Sequence, residues 1–151
     1  MTEVHLRTAE PSDLLALLAL EETCFSPADG KLTKRAFKYH LQHPRNQLVI
    51  AYNDQQLVLG YVLVLVKKDA WRLYSLAVHA NYRKQGIAKL LLMHIIKNAS
   101  EKHVNYLTLE VRESNQTAIA LYQSLGFRCK TRLPDYYIDA SGLRMQLSLK
   151  P

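Results

Sequence analysis

Apolar positions along this chain follow two rhythms, one of period two and one near 3.6, and they change over at polar or glycine punctuation. Val4 and Leu6 alternate with polar neighbours and predict a first strand ending near Ala9. Ser12 and Asp13 precede a leucine-rich stretch and predict a capped helix reaching about Thr23. Thr33 opens a second helix that ends by His43 and Pro44. Residues 47–52 read as a strand and Asn53-Asp54-Gln55-Gln56 as a turn; residues 57–66 return as a strand paired with residues 47–52. Residues 71–78 are the next strand.

From Gly86 to about Lys102 the period becomes helical. Ala88, Leu91, Leu92, Ile95 and Ala99 form one stripe, and Leu90, Met93 and Ile96 widen it, which predicts a helix packed closely on a sheet. In residues 106–112, Leu107, Leu109 and Val111 share one face, and Tyr106, Thr108, Glu110 and Arg112 the other. A short helix over 115–125 ends at Gly126, and strands over 127–132 and 143–149 follow. The predicted order is β-α-α-β-β-β-α-β-α-β-β, an α/β (α+β) mixed sheet flanked by helices, not a repeating doubly wound unit. No linker, repeat or low-complexity stretch divides residues 1–151, so a single domain is expected.

Composition narrows the class of protein. The 151 residues, 48% apolar and 22% charged, suit a soluble globular domain. The apolar run over 14–20 is too short to span a bilayer, and Glu10 and Asp13 before it argue against a signal peptide. Cys24 and Cys129 have neither metal nor disulfide spacing and read as small apolar fillers in a reducing cytoplasm. His40 and His43 can share a helix face but lack a third ligand, and the other histidines are scattered, so no metal is expected. The net charge of +7 implies acidic partners. Lys31, Lys34, Arg35 and Lys38 fall at helical spacing, either as a solvated face or as a docking surface for an acidic partner. No aromatic-basic interleaving supports nucleic-acid binding.

Three places can carry chemistry. A strand ending at Val78, a loop with adjacent cations Arg83 and Lys84, and Gly86 opening a helix make a phosphate-binding arrangement, because first-turn N–H groups and the helix dipole both favour an anion. Glu110 is a carboxylate on a strand that otherwise reads as central, and is either chemically employed or ion-paired with an arginine such as Arg112. Tyr122 lies on the following helix, where ordinary half-buried packing is the competing explanation.

These residues resemble one family. Arg83-Lys84-Gln85-Gly86-Ile87-Ala88 fits the Gln/Arg-x-x-Gly-x-Gly/Ala signature of the GNAT-type N-acetyltransferases. Leu109-Glu110-Val111-Arg112 with Ser114-Asn115, and then residues 118–127, resemble its second half, in a version similar to the ribosomal-protein-alanine acetyltransferases. The resemblance implies acetyl-CoA as cosubstrate and an amine acceptor on a peptide or protein, an N-terminal α-amine or a lysine, acidic or ribosome-associated; a small-molecule amine is the alternative. No membrane and no direct nucleic-acid binding are expected, and the chain is either a monomer or a homodimer.

Lysine amines titrate near ~10.4 and N-terminal amines near ~8, so a base must take a proton; the resemblance gives that role to Glu110. It makes Tyr122 the proton donor to the departing sulfur, with a backbone amide near Val78 meeting the oxyanion. It pairs the backbone of Leu76, Ala77 and Val78 with the pantetheine arm and cradles the pyrophosphate on the amides of Arg83, Lys84, Gln85, Gly86, Ile87 and Ala88. Gly86 would leave room for the phosphate, and Asn115 would hydrogen-bond the arm. Tyr136 and Tyr137 resemble the tyrosine pair before that group's last strand, as acceptor-channel lining or as plain packing. Residues 24–31 (Cys-Phe-Ser-Pro-Ala-Asp-Gly-Lys) depart from its aromatic Pro-Trp pattern.

Overall fold

A computed structural model describes residues 3–26, 31–43 and 45–150; Pro44, Gly30 and the middle of the 24–31 segment lie outside the described residues. The strands are β1 (His5–Thr8), β2 (Gln47–Tyr52), β3 (Val58–Val66), β4 (Ala70–Val78), β5 (Tyr106–Arg112), β6 (Arg128–Leu133) and β7 (Gly142–Ser148). The helices are α1 (Leu14–Cys24), α2 (Lys34–Gln42), α3 (Ile87–Glu101) and α4 (Gln116–Ser124). The strands form one sheet in the order β1-β2-β3-β4-β5-β7-β6. Every neighbouring pair is antiparallel except β4 with β5, which is parallel.

Helices cover both faces, which is why β2 and β3 are apolar almost throughout rather than alternating. On one face α1 and α2 enclose a core of Leu17, Leu20, Phe37, Ile50, Tyr61 and Leu63. On the other, α3 and α4 pack Leu91, Leu92, Ile95 and Ile119 against Val62, Trp71, Leu107 and Leu109. The predicted turn forms because Asn53 Oδ1 accepts the N–H groups of Gln55 and Leu57, both at 3.0 Å. Thr33 caps α2 as expected, accepting the Ala36 N–H at 3.1 Å.

Several expectations need correction. Asp13 does not cap α1 through its side chain. It turns back, accepting the Glu10 N–H at 2.7 Å and both Arg7 guanidinium nitrogens at 2.8 and 3.0 Å. Lys31 precedes α2 instead of joining its basic face and pairs with Glu22 at 3.3 Å; Lys34, Arg35 and Lys38 remain exposed on the helix. On α3 the buried stripe is Ile87, Leu91, Leu92, Ile95 and Ala99, with Leu90 and Met93 exposed, because one sheet face accommodates only about a third of a helix's circumference. Cys129 is exposed on the edge strand β6 and fills no core; Cys24 is half-buried. No helix among the described residues is long and apolar enough to cross a membrane.

Candidate active site

β4 and β5 pair only from Ala70↔Tyr106 to Leu73↔Leu109, and then diverge. The divergence begins at a bulge in β4: Leu63 opposes Ser75 while Val64 opposes Leu73, which leaves Tyr74 as the extra residue. A bulge bends its strand and sharpens the local twist. It also inverts the alternation, so Leu73 meets the α3 core while Ala77, four positions on, meets the α1 core. Past the bulge β3 and β4 stay tightly joined because residue 60 is glycine; a Cβ there would sit 2.6 Å from the Ala77 carbonyl oxygen.

A cavity of 480 Å³ occupies the divergence. Glu21, Phe25 and Leu32 form one wall, Tyr136, Tyr137 and Ile138 the opposite wall, and Arg72, Ser75, Leu76 and Glu110 lie between, with Asn115 and Tyr122 also lining it. The predicted residues Glu110, Tyr122, Asn115 and Leu76 therefore meet in one space. Ala77 and Val78 instead continue the β4 edge, paired with Tyr61 and Gly60 of β3 on their other side.

Glu110 shares the α1 side of the sheet with its neighbours in register, since Leu109 and Val111 face the α3 core. Its side chain is 7% exposed. Arg72 Nε donates to Oε1 at 2.7 Å, with Nη2 in ion-pair contact 2.6 Å from the same oxygen, and Arg144 Nε donates to Oε2 at 3.2 Å, so each oxygen accepts one hydrogen bond. The expected partner Arg112 goes elsewhere: it bonds Asp139 at 2.7 Å and lies 4.7 Å over the Tyr137 ring. Cross-strand register explains the exchange, for Arg144 lies directly opposite Glu110 and Arg72 lies diagonally across. Each carboxylate oxygen has two lone pairs, so both keep capacity for a donor in the cavity.

Tyr122 reaches the cavity from α4, on the α3 side of the sheet, through the gap between the strands. Burial, with a smaller contribution from Tyr137, pushes its phenol up to about 12, so it carries its proton throughout the neutral range. Asn115 is the N-cap of α4, its Oδ1 accepting the Ala118 N–H at 3.1 Å, which leaves the amide nitrogen as the donor for the cavity. Tyr136 and Tyr137 line the far wall as an edge-to-face pair with centroids 5.0 Å apart, and Arg72 donates to the Tyr136 hydroxyl at 3.2 Å.

Beyond Val78, a turn over Ala80–Tyr82 leads to two left-handed residues, Lys84 at φ 64° and Gly86 at φ 80°. Gly86 is the N-cap of α3, and no side chain caps the helix there, so its first-turn amides keep their donors for an incoming group. A Cβ on Gly86 would meet no protein atom within 4 Å; within the protein, glycine is required by the dihedral angle. Arg83 folds back, donating to the Val78 carbonyl at 3.2 Å and contacting Cys24 Sγ at 3.5 Å.

The wall residue Glu21 was not singled out from the sequence. It is 3% exposed, and burial raises its carboxyl to about 7, against the opposing Leu32 N–H and the field of Lys31. The signal was present: with Leu17 and Leu20 it falls at i, i+3 and i+4 on the buried stripe of α1, where a charged residue is out of place.

The Acetyltransferase (GNAT) family profile matches residues 14–127. The "[Ribosomal protein bS18]-alanine N-acetyltransferase" of Escherichia coli (strain K12) is 40% identical over 132 residues, covering 80% of this chain and 86% of that protein. The crystal structure of the ribosomal-protein-S18-alanine N-acetyltransferase from Escherichia coli superposes with a TM-score of 0.88 at 28% identity, covering 99% of this chain and 96% of that one. A chain of the NatC complex bound to Gag peptide and CoA shares the fold, with a TM-score of 0.84 at 21% identity over 98% of this chain and 99% of that one. Acetyltransferases of this family use acetyl-CoA. With the family profile spanning most of the chain and a close relative covering four-fifths of it, this protein belongs to the GNAT family and is an N-acetyltransferase.

Proposed function

We propose that this chain, as one catalytic domain working in the reducing cytoplasm, transfers an acetyl group from acetyl-CoA to the free α-amine at the N-terminus of a protein. The observation that carries the reading is the shared cavity: a fixed carboxylate, Glu110, and a protonated phenol, Tyr122, line one space reached from the two sides of the sheet. Similarity to an alanine N-acetyltransferase favours an N-terminal acceptor over a lysine side chain.

The residues present fit acetyl-CoA. The β4 edge past Leu73 has no β5 partner and offers the backbone of Leu76, Ala77 and Val78 to a peptide-like arm. The uncapped α3 terminus and the amides of Arg83, Lys84, Gln85, Gly86, Ile87 and Ala88 offer donors to a pyrophosphate. Asn115 offers its amide nitrogen. Bound there, acetyl-CoA would supply an activated thioester. Glu110 relieves the attacking nitrogen of a proton, an amide near Val78 meets charge developing on the carbonyl oxygen, and Tyr122 protonates the departing sulfur.

CoA release measured against peptides with a free N-terminus, and against N-blocked peptides with internal lysines, tests the acceptor. Release with the first set alone is expected. Release with the lysine peptides alone, or only with small amines, would overturn the N-terminal assignment.

A further inference from the structure

Asp13, Glu21 and Asn53 are the buried polar or charged residues among those described. Asp13 is matched by Arg7 and Asn53 organises a turn. Glu21 alone borders the cavity, and the scheme above gives it no part. No ion pair reaches it among the described residues; Lys31, whose field it feels, is paired with the adjacent Glu22.

Both oxygens of Glu21 are engaged. Oε2 accepts the Leu32 N–H at 2.8 Å, and Oε1 accepts the hydroxyl of Tyr61, which is fully buried. The Tyr61 oxygen lies 2.7 Å from Ser75 Oγ, and Ser75 lines the cavity. A phenol has a single O–H. With that proton given to Glu21, Ser75 must donate to Tyr61, so the lone pairs of Ser75 Oγ are left to accept from the cavity. The chain of hydrogen bonds has one direction, from cavity to carboxylate.

An acceptor ammonium must lose two protons on becoming an amide, one before it attacks and one as the new bond forms. We propose that Glu21, acting through Tyr61 and Ser75, receives the first of these protons. This rests on the amine-acceptor reading above. One N–H bond of the ammonium breaks and its electron pair stays on nitrogen. The proton bonds to Ser75 Oγ as Ser75's own proton passes to Tyr61 and Tyr61's to Glu21 Oε1. The ammonium becomes a neutral amine and the carboxylate a neutral acid; nothing is oxidised or reduced. Glu110 is left to take the second proton. The groups facing Glu21 are Tyr61 on β3, Ser75 on β4, Lys31 and the Leu32 amide before α2, and Glu22 on α1, with Arg72 and Glu110 also lining the cavity. Burial among them raises Glu21 to the neutral range, where a carboxyl exchanges a proton with an amine most readily.

The test compares wild type with Glu21→Gln, Tyr61→Phe and Ser75→Ala. It uses a free α-amine peptide as acceptor, kcat/KM measured across pH 5–10, and side-chain carboxyl 13C NMR of the chain alone. Wild type is expected to show a glutamate titrating near neutrality that Glu21→Gln removes. All three variants are expected to lose about tenfold or more at pH 7, recover toward pH 9 and keep the wild-type KM for acetyl-CoA. An active wild type with variant profiles that superimpose on its own, or that fall by the same factor at every pH, would overturn the relay while leaving the transferase reading intact. A wild type that acetylates no peptide amine would overturn that reading, and the relay with it.

Discussion

Glu110 is held in place by the folded chain itself, with Arg72 and Arg144 fixing its two oxygens from neighbouring strands. Such fixation favours a base that must meet a nitrogen at one position, because little reorganisation remains for the reaction to drive. Glu110→Gln is expected to lower kcat about 100-fold at its plateau while retaining the ionisation near neutrality. Loss of that ionisation in Glu110→Gln would instead assign the first proton to Glu110. Tyr122→Phe keeps the ring that packs 5.8 Å from Phe127 and removes only the hydroxyl. Its kcat is expected to fall by about 100-fold with CoA affinity unchanged, and full activity would leave Tyr122 a packing residue. Spacing placed Glu110 as a carboxylate on a strand and Tyr122 as a tyrosine on the following helix, each with an ordinary structural explanation; the roles proposed for them come from the family resemblance. Glu21 was legible only as a charge out of place on a leucine stripe, since its meaning depends on Tyr61 and Ser75, 40 and 54 positions away.

The elements matter through two local departures from regularity, the bulge at Tyr74 and the left-handed entry to α3. The first opens a parallel pair into a cleft; the second leaves a helix terminus uncapped. Gly86 sits where a β-branched residue is strained. Gly86→Val is therefore expected to weaken CoA binding by about tenfold or more, read by calorimetry, with α3 otherwise intact because no protein atom obstructs the side chain. Unchanged affinity would remove the loop from the proposed pyrophosphate site. Periodicity located β4 and α3 to within a residue or two. It was silent on the bulge, for strand alternation reads as continuous until cross-strand register reveals that Leu63 and Val64 oppose residues two apart.

For the whole molecule, two buried carboxyls set opposite pH dependences. Burial would raise Asp13, but the Arg7 hydrogen bonds and charge and the Glu10 N–H outweigh it and hold the carboxyl below its usual range. Its contribution is present above the unfolded-state value and is lost on acidification. Glu21 releases its proton near 4.5 when unfolded and near 7 when folded. Between those values the folded state holds the extra proton, so stability falls as pH rises, by about 3 kcal/mol in total. Thermal unfolding of Glu21→Gln is expected to lose this decline, gaining on wild type at pH 8 relative to pH 5 by about 2–4 °C for each kcal/mol. Parallel pH–Tm curves would show that Glu21 ionises alike in both states. The exposed cations Arg128, Lys130 and Arg132 on the edge strand β6 disfavour edge-to-edge pairing of two copies there.

Element order, helical cover on the sheet's faces, and the placing of Glu110 on a strand, Tyr122 on the next helix and the loop before α3 follow from periodicity and from residues close together in the chain, and are readable without the fold. The parting of β4 and β5 after Leu73, the hold of Arg72 and Arg144 rather than Arg112 on Glu110, and the link from Glu21 through Tyr61 to Ser75 at the cavity exist only in the folded chain. Those outcomes depend on strand register and helix packing, which bring together residues that no local pattern relates.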